Sequence, residues 1–82
     1  MRLDKYLKVT RIVKRREVAH DFIEQDRCFV NDKLAKPSTN VKENDIILLN
    51  ISPTRQVKIK VLKVAEFSSI KDSKTMYEIL ED

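Results

Sequence analysis

Two amphipathic helical stripes and a strand-like segment follow one another in residues 2–32, which read RLDKYLKVTRIVKRREVAHDFIEQDRCFVND. Leu3, Tyr6 and Leu7 have the i, i+3, i+4 spacing of one helical face, and this spacing predicts a first helix over residues 3–9. A second stripe predicts a helix from about residue 15 to 25 and consists of Val18, Ala19, Phe22 and Ile23. We expect the two helices to pack side by side through four apolar residues, Leu3, Leu7, Val18 and Phe22.

The sequence changes from helical to strand character after residue 26. Residues 27–35 read RCFVNDKLA, in which an Asn-Asp pair between two short strand-like runs predicts a hairpin. A continuous apolar run at residues 46–51 has the length of a buried strand. Residues 57–61 alternate apolar side chains with lysines, which predicts a half-buried strand that pairs with this run.

The end of the chain is predicted to form a short packed helix. The residues with helical spacing there are Met76, Tyr77, Ile79 and Leu80. A final strand is the alternative, because so short a pattern fits both. The expected fold class is α+β, with two short N-terminal helices packed on a small, mainly antiparallel sheet and a short C-terminal helix. A chain of 82 residues is expected to form a single domain.

The chain contains no glycine, although several of its predicted turns require a positive φ angle. Asn or Asp stands at each of these places, and these two residue types enter the left-handed region more readily than other residues that carry a side chain. We therefore expect positive φ angles, with some loss of stability, at Asp26, Asn31, Asp32 and Asn44.

Basic charge is concentrated at the start of the chain. The 17 Lys and Arg residues exceed the 13 Asp and Glu residues by only four. Residues 1–16, however, contain seven bases and one acid, Asp4, whereas the other 66 residues contain ten bases and twelve acids. Acids usually alternate with bases on a solvated helix, so this segment is unusual and creates a local field that attracts polyanions. Arginines at the entry of the second helix add to its positive dipole end and favour phosphate.

Other classes of protein are disfavoured by the composition. A single cysteine, Cys28, and a single histidine, His20, provide neither an internal disulfide nor a ligand set for a metal. We interpret Cys28 as a small buried apolar group and His20 as a polar helix residue. Without a glycine-rich phosphate loop or clustered carboxylates, no enzyme and no cofactor are predicted. No apolar run reaches about 18 residues and no signal-like segment is found, so we expect a cytosolic protein without a membrane span.

Five short motifs occur in order within residues 2–45. They are RLDKYL at 2–7, RRxxA at 15–19, IxxDRxxVND at 23–32, AKPS at 35–38 and VKxND at 41–45. Together they resemble the alpha-L RNA-binding motif of the small-subunit ribosomal protein S-four. The block MRLDKYLKVTRIVKRREVA is most similar to the stand-alone YabO/RqcP family of bacterial ribosome quality control. Three glycines of the family are replaced here by Asp26, Asp32 and Asn44, and residues 46–82 match only loosely.

This resemblance implies RNA binding through basic side chains. Sequence specificity is expected to be low, because helical RNA is recognised largely through its phosphates and shape. Carried over by position, the RNA-binding residues are Arg2, Lys5, Lys8, Arg11, Lys14, Arg15, Arg16, Lys33 and Lys36. Binding is expected to depend most on Arg16.

The resemblance also implies partners and a process. The implied partners are the rRNA of a dissociated large ribosomal subunit, peptidyl-tRNA and an RqcH-type factor that elongates stalled chains with alanine without a template. A monomer is expected. The alternative is a heat-shock-type ribosome-binding or tRNA-binding protein that acts on free large subunits without a role in tailing. The third alternative is an RNA-modifying enzyme whose catalytic domain is missing, and the length of 82 residues excludes it unless the chain is a fragment.

Simple structural roles are expected for several residues near the basic segment. Asp4 has the spacing to pair with Lys8 one helical turn further on. Tyr6, Phe22 and Phe29 fit the core stripes, so base stacking by these three rings is the weaker interpretation.

Overall fold

The computed structural model describes residues 1–80, which form three helices and a five-stranded sheet. The helices are α1 (Leu3–Val9), α2 (Arg16–Glu24) and α3 (Ile70–Ser73). The strands are β1 (Cys28–Val30), β2 (Lys33–Leu34), β3 (Ile46–Ser52), β4 (Arg55–Val61) and β5 (Tyr77–Leu80). The order in the sheet is β2-β1-β3-β4-β5, and every neighbouring pair is antiparallel. The α+β class is confirmed. The last two residues of the predicted C-terminal segment, 81–82, lie outside the described residues.

One hydrophobic core joins the helices to the sheet. Alternate residues of β3 and β4 are buried, as the strand period requires, and they share this core with Leu3, Tyr6 and Leu7 of α1. The Tyr6 hydroxyl donates a hydrogen bond to the carbonyl of Met76, 2.8 Å away. Burial raises the pKa of Tyr6, and the neighbouring Tyr77 adds to this effect. This hydrogen bond thus connects α1 to the residue that precedes β5.

The buried face of α2 is narrower than the predicted apolar stripe. The helix buries Ala19 and Ile23, whereas Val18 is 51% exposed and Phe22 is only partly buried. The prediction that Val18 packs between the helices is therefore wrong. The physical reason is that Ala19 and Ile23, at i and i+4, define the inner face and leave Val18 at its margin.

The final segment is a strand and not the predicted helix. Tyr77–Leu80 pairs with β4, with Ile79 opposite Ile59 and Glu78 opposite Lys60. Without this strand the edge of β4 would present unpaired backbone groups, and pairing satisfies them. This long-range partner decides between two structures that the local pattern fits equally well.

The left-handed turns lie at the four residues expected from the sequence. The φ angles are 60° at Asp26, 51° at Asn31, 67° at Asp32 and 75° at Asn44. Two consecutive positive φ angles at Asn31 and Asp32 are those of a type I′ turn, which suits the twist of the β1–β2 hairpin. Arg11 also has a positive φ, 62°, and no sequence signal indicated it.

Candidate nucleic-acid interface

The predicted basic residues of the first segment lie mainly at helix ends. Arg2 and Arg15 are the N-cap residues of α1 and α2, and Arg16 is the first residue of α2. The first amides of α1 are occupied, because Leu3 and Asp4 donate to the carbonyls of Thr39 and Pro37 at 2.8 and 3.2 Å. Arg15 makes no capping side-chain bond to α2. The N-terminal end of α2 is therefore the one whose amides and dipole are available to an anion.

A buried carboxylate connects the N-terminal ends of the two helices. Asp4, whose side chain is 3% exposed, accepts hydrogen bonds from Nε and Nη2 of Arg2 at 3.2 and 3.1 Å. Its Oδ1 also lies 3.4 Å from Nη2 of Arg16 and accepts the amide of Lys5 at 2.7 Å. The predicted pair of Asp4 with Lys8 is therefore wrong. Packing of α1 on α2 supplies a stronger planar partner from a distant part of the sequence.

The two arginines remain available to solvent on their outer side. The side chains of Arg2 and Arg16 are 50% and 46% exposed, although both contact the same carboxylate. A guanidinium has five N–H donors, so each retains donors after its contact with Asp4. The arrangement holds two planar guanidinium groups against one carboxylate, and groups held in this way lose less conformational entropy when they bind a ligand.

A second basic cluster lies where α1 ends. Lys8, Arg11 and Lys14 line a cleft of about 360 Å³ together with residues 66–68. Arg11 Nη2 donates to the carbonyl of Ser68 at 3.3 Å. Lys5 forms an ion pair with Glu66. The hydrogen bond that Lys5 donates, together with its positive charge, lowers the pKa of the Glu66 carboxyl.

The remaining predicted contact residues are spread more widely. Arg15 and Lys36 are exposed, and Lys36 precedes Pro37, whose carbonyl binds the first turn of α1. Lys33 lies in the edge strand β2 and lines a different cleft, which it shares with Lys42. The structure thus brings Arg2 and Arg16 together, collects Lys8, Arg11 and Lys14 separately, and leaves Lys33 apart from both groups.

Two residues of the site were missed from the sequence. Asp4 positions both arginines, and the signal for this role was its being the single acid among the seven bases of residues 1–16. Phe67 lines the second basic cleft and is 88% exposed. It stands alone as an aromatic residue within the polar stretch that precedes β5, which was the available signal.

The residues considered for other chemistry have the simple roles expected of them. Cys28 is a free, fully buried thiol, and burial raises its pKa from 9.0 to about 12. The two ring nitrogens of His20 lie 3.7 Å from carboxylate oxygens of Asp21 and Glu24 on the surface of α2. Within residues 1–80, no group of three His, Cys, Asp or Glu side chains is placed to hold a metal ion.

Aromatic residues predicted for the core are buried to different degrees. Tyr6 is fully buried, and Phe22 packs at the edge of the core with the Arg27 guanidinium 5.1 Å from its ring centre. Phe29 in β1 is half-buried.

None of the helices in residues 1–80 has the length and apolar character required to cross a bilayer.

Comparison with known proteins identifies the family of this chain. Residues 1–47 match the S4 domain family, which confirms the resemblance to the S-four type motif. A protein of Listeria innocua called RQC P-site tRNA stabilizing factor is 43% identical over all 82 residues, which cover 88% of its length. A protein of the same name from Streptococcus pneumoniae is also 43% identical and is covered to 92%.

The fold is also that of a solved structure. The trimeric structure of Vibrio cholerae Heat Shock Protein 15 aligns with a TM-score of 0.88 at 26% identity, over 98% of this chain and 81% of the other. The sequence and structure matches both extend well beyond the helical segment. The chain therefore belongs to the S4 domain family, in the group of small proteins that includes the RQC P-site tRNA stabilizing factors.

Proposed function

We propose that this chain is an RNA-binding factor of bacterial ribosome-associated quality control, and that it binds large-subunit rRNA and tRNA without catalysing a reaction. The observation that carries the proposal is the joining of Arg2 and Arg16 by the buried carboxylate of Asp4. This arrangement holds two half-exposed guanidinium groups at adjacent helix ends, where they can bind neighbouring phosphates.

Phosphate binding of this kind suits structured RNA. The deep, narrow groove of an RNA helix hides the bases from side chains, so a protein contacts its backbone and shape. Fixed guanidinium groups match a fixed phosphate spacing, whereas flexible lysines contribute mainly charge. Arg15, the N-cap residue of α2, and Lys36, which precedes Pro37 at the first turn of α1, are also exposed. We expect tight but sequence-tolerant binding that weakens steeply with salt.

The assignment to the quality-control process rests on whole-chain similarity. The relatives in Listeria innocua and Streptococcus pneumoniae are called RQC P-site tRNA stabilizing factors, and the similarity spans all 82 residues. We extend this role to the present chain: it steadies peptidyl-tRNA on a large subunit while an RqcH-type factor adds alanine to the stalled chain. Such a factor acts in the cytoplasm, and we propose that it does so as a monomer.

Binding without catalysis is supported by the state of the reactive side chains. The Cys28 thiol is buried and its pKa is raised to about 12, so it is not a nucleophile at neutral pH. The Tyr6 hydroxyl is buried and donates to a backbone carbonyl. In the two basic clusters the exposed ionisable groups are Lys and Arg, apart from Glu66, which is paired with Lys5, and Lys and Arg suit phosphate binding.

A second candidate function follows from the fold comparison. The structural similarity to Heat Shock Protein 15, with a TM-score of 0.88, supports the heat-shock-type alternative of the sequence analysis, for which we propose ribosome or tRNA binding on free large subunits. This function would use the same basic surface. It differs in having no role in alanine tailing.

Cells that lack the gene distinguish these two functions. We expect a tagged wild-type protein to sediment with large subunits and to restore C-terminal alanine tails on a stalled reporter chain, as measured by mass spectrometry. Arg55→Ala serves as the control, because it removes one exposed charge from β4, outside the basic helical surface. The second function would replace the first if the protein sediments with large subunits but cells that lack the gene still add alanine tails normally.

A further inference from the structure

Phe67 is the most exposed large apolar side chain of residues 1–80. Its relative exposure is 88%, compared with 67% for Ile70 and 66% for Ile79. A single exposed apolar side chain is common on protein surfaces, so the contacts and charges around the ring decide whether it has a binding partner.

The residues on both sides of Phe67 contact α1 or the turn that follows it. Glu66 forms an ion pair with Lys5 of α1. The Ser68 hydroxyl donates to the carbonyl of Val9 at 2.6 Å, and the Ser68 carbonyl accepts from Arg11 at 3.3 Å. Phe67 therefore projects from a backbone segment that is attached to α1 on both sides, and little backbone entropy remains to be lost when its ring is covered.

The surroundings of the ring are basic. Phe67 shares a cleft of about 360 Å³ with Lys8, Arg11 and Lys14. The carboxylate in this cleft, Glu66, is already paired with Lys5. An apolar protein partner would be a poor match for three cationic side chains, whereas a nucleotide offers an aromatic face beside a negative phosphate.

The backbone at Arg11 adds an independent observation. Its φ angle of 62° is unusual for a residue other than glycine, asparagine or aspartate. This conformation turns the chain after α1 and allows the Arg11 side chain to reach Ser68, next to the ring. Backbone strain of this kind is found most often at binding and catalytic sites.

We infer that Phe67 stacks on the base of an unpaired nucleotide, while Lys8, Arg11 and Lys14 bind the adjoining phosphates. The inference rests on the proposed RNA-binding function and adds a ligand class to it. The cleft lies at the C-terminal end of α1, and Arg2 precedes its N-terminal end. Seven helical residues span about 10 Å, so paired RNA at the arginines and an unpaired nucleotide at Phe67 can belong to one RNA.

Two RNA hairpins test the inference, one fully paired and one with a single bulged nucleotide. Phe67→Ala should weaken binding of the bulged hairpin at least about fivefold, the lower bound for loss of one aromatic stack. It should change binding of the paired hairpin less than about twofold. Ile70→Ala is the matched control, because Ile70 is also an exposed apolar residue of this segment.

Fluorescence gives a direct readout of stacking. The chain contains no tryptophan, so Phe67→Trp introduces a single indole at the proposed site. Its emission should be quenched by the bulged hairpin and not by the paired one. An equal loss of affinity for both hairpins in Phe67→Ala, no loss for either hairpin, or Phe67-dependent self-association of the free protein in sedimentation velocity would overturn the inference while leaving RNA binding intact. Failure of the wild-type protein to bind either hairpin would overturn the proposed function itself.

Discussion

The carboxylate of Asp4, only 3% exposed, lies 3.4 Å from the guanidinium of Arg16, twelve residues further along the chain. The same carboxylate binds Arg2, so one buried negative charge fixes the N-terminal ends of α1 and α2 relative to each other. Burial of a carboxylate is costly, and here two guanidinium groups and the Lys5 amide compensate for its lost hydration.

This relationship predicts that removing the charge of Asp4 makes the chain more positive and yet weakens its binding to RNA. Asp4→Asn should lower the free energy of unfolding by about 1–3 kcal/mol in urea denaturation, because a neutral amide replaces an acceptor of several charge-assisted bonds. It adds one positive charge to a chain of net charge +4, yet it should weaken binding to structured RNA, because Arg2 and Arg16 lose their fixed positions.

Asp21→Asn makes the same change of charge at an exposed site of α2, where the side chain is 76% exposed. Its effect on stability should stay within about 0.5 kcal/mol, and its RNA affinity should stay the same or rise slightly. Tighter RNA binding by both variants would show that Asp4 contributes charge and not positioning.

The left-handed turns provide a test of the backbone. Asp26→Gly and Asn44→Gly should each stabilise the fold by about 0.5 kcal/mol, because glycine adopts φ angles of 60° and 75° without a steric cost. Thermal melting measures the change. A lower melting temperature in both variants would contradict the account of these turns.

Asn31→Gly provides the contrast, since Asn31 also has a positive φ but its side chain is used. Its amide group donates to Asp45 at 3.1 Å and accepts from the Ile46 amide at 3.0 Å. Losing both bonds outweighs the relief at the backbone, and the variant should be less stable by about 1 kcal/mol or more. Stabilisation of all three glycine variants alike would mean that these two bonds contribute nothing.

Local sequence patterns predicted those parts of the fold that are decided by residues close together in the chain. The i, i+3, i+4 stripe located α1, and Asn or Asp at the turns located the left-handed residues in a chain without glycine. Long-range contacts decided the rest. Tyr77–Leu80 is a strand because β4 needs a partner, and Arg11 is left-handed beside Ser68, 57 residues away.

The same division applies to the candidate site. An uneven charge distribution located the basic segment without showing how its members are grouped. The grouping of Arg2 with Arg16 depends on how α1 packs on α2 and on the buried acid between them. The exposure of Phe67 depends on the contacts of Glu66 and Ser68 with α1, which no local pattern encodes.

The buried thiol predicts a pH dependence of stability. Burial raises the pKa of Cys28 from 9.0 to about 12, so above pH 9 the unfolded chain loses this proton before the folded chain does. Stability from this group is complete below about pH 9 and is lost as the pH rises towards about 12. The expected fall is on the order of 1 kcal/mol per pH unit within that window.

Urea midpoints at about pH 8, 9 and 10 check this dependence. Cys28→Ala should be less stable at about pH 8, because it leaves a small cavity, but its midpoint should fall less between about pH 9 and 10. The native wild-type thiol should also resist iodoacetamide at about pH 8 until urea unfolds the chain. Parallel falls in the two proteins, or rapid alkylation of the native protein, would contradict the buried state of Cys28.

Sedimentation of Arg16→Ala with large ribosomal subunits tests the central claim most directly. Arg16 is 46% exposed, and Asp4 keeps Arg2 and the Lys5 amide as partners without it, so Arg16→Ala should fold with wild-type circular dichroism and a somewhat lower melting temperature while losing a charge-assisted phosphate contact. At moderate salt we expect Arg16→Ala to leave the large-subunit fraction, whereas Arg55→Ala remains in it. Equal retention of both variants over a range of salt concentrations would contradict the claim that the paired arginines of α1 and α2 bind ribosomal RNA.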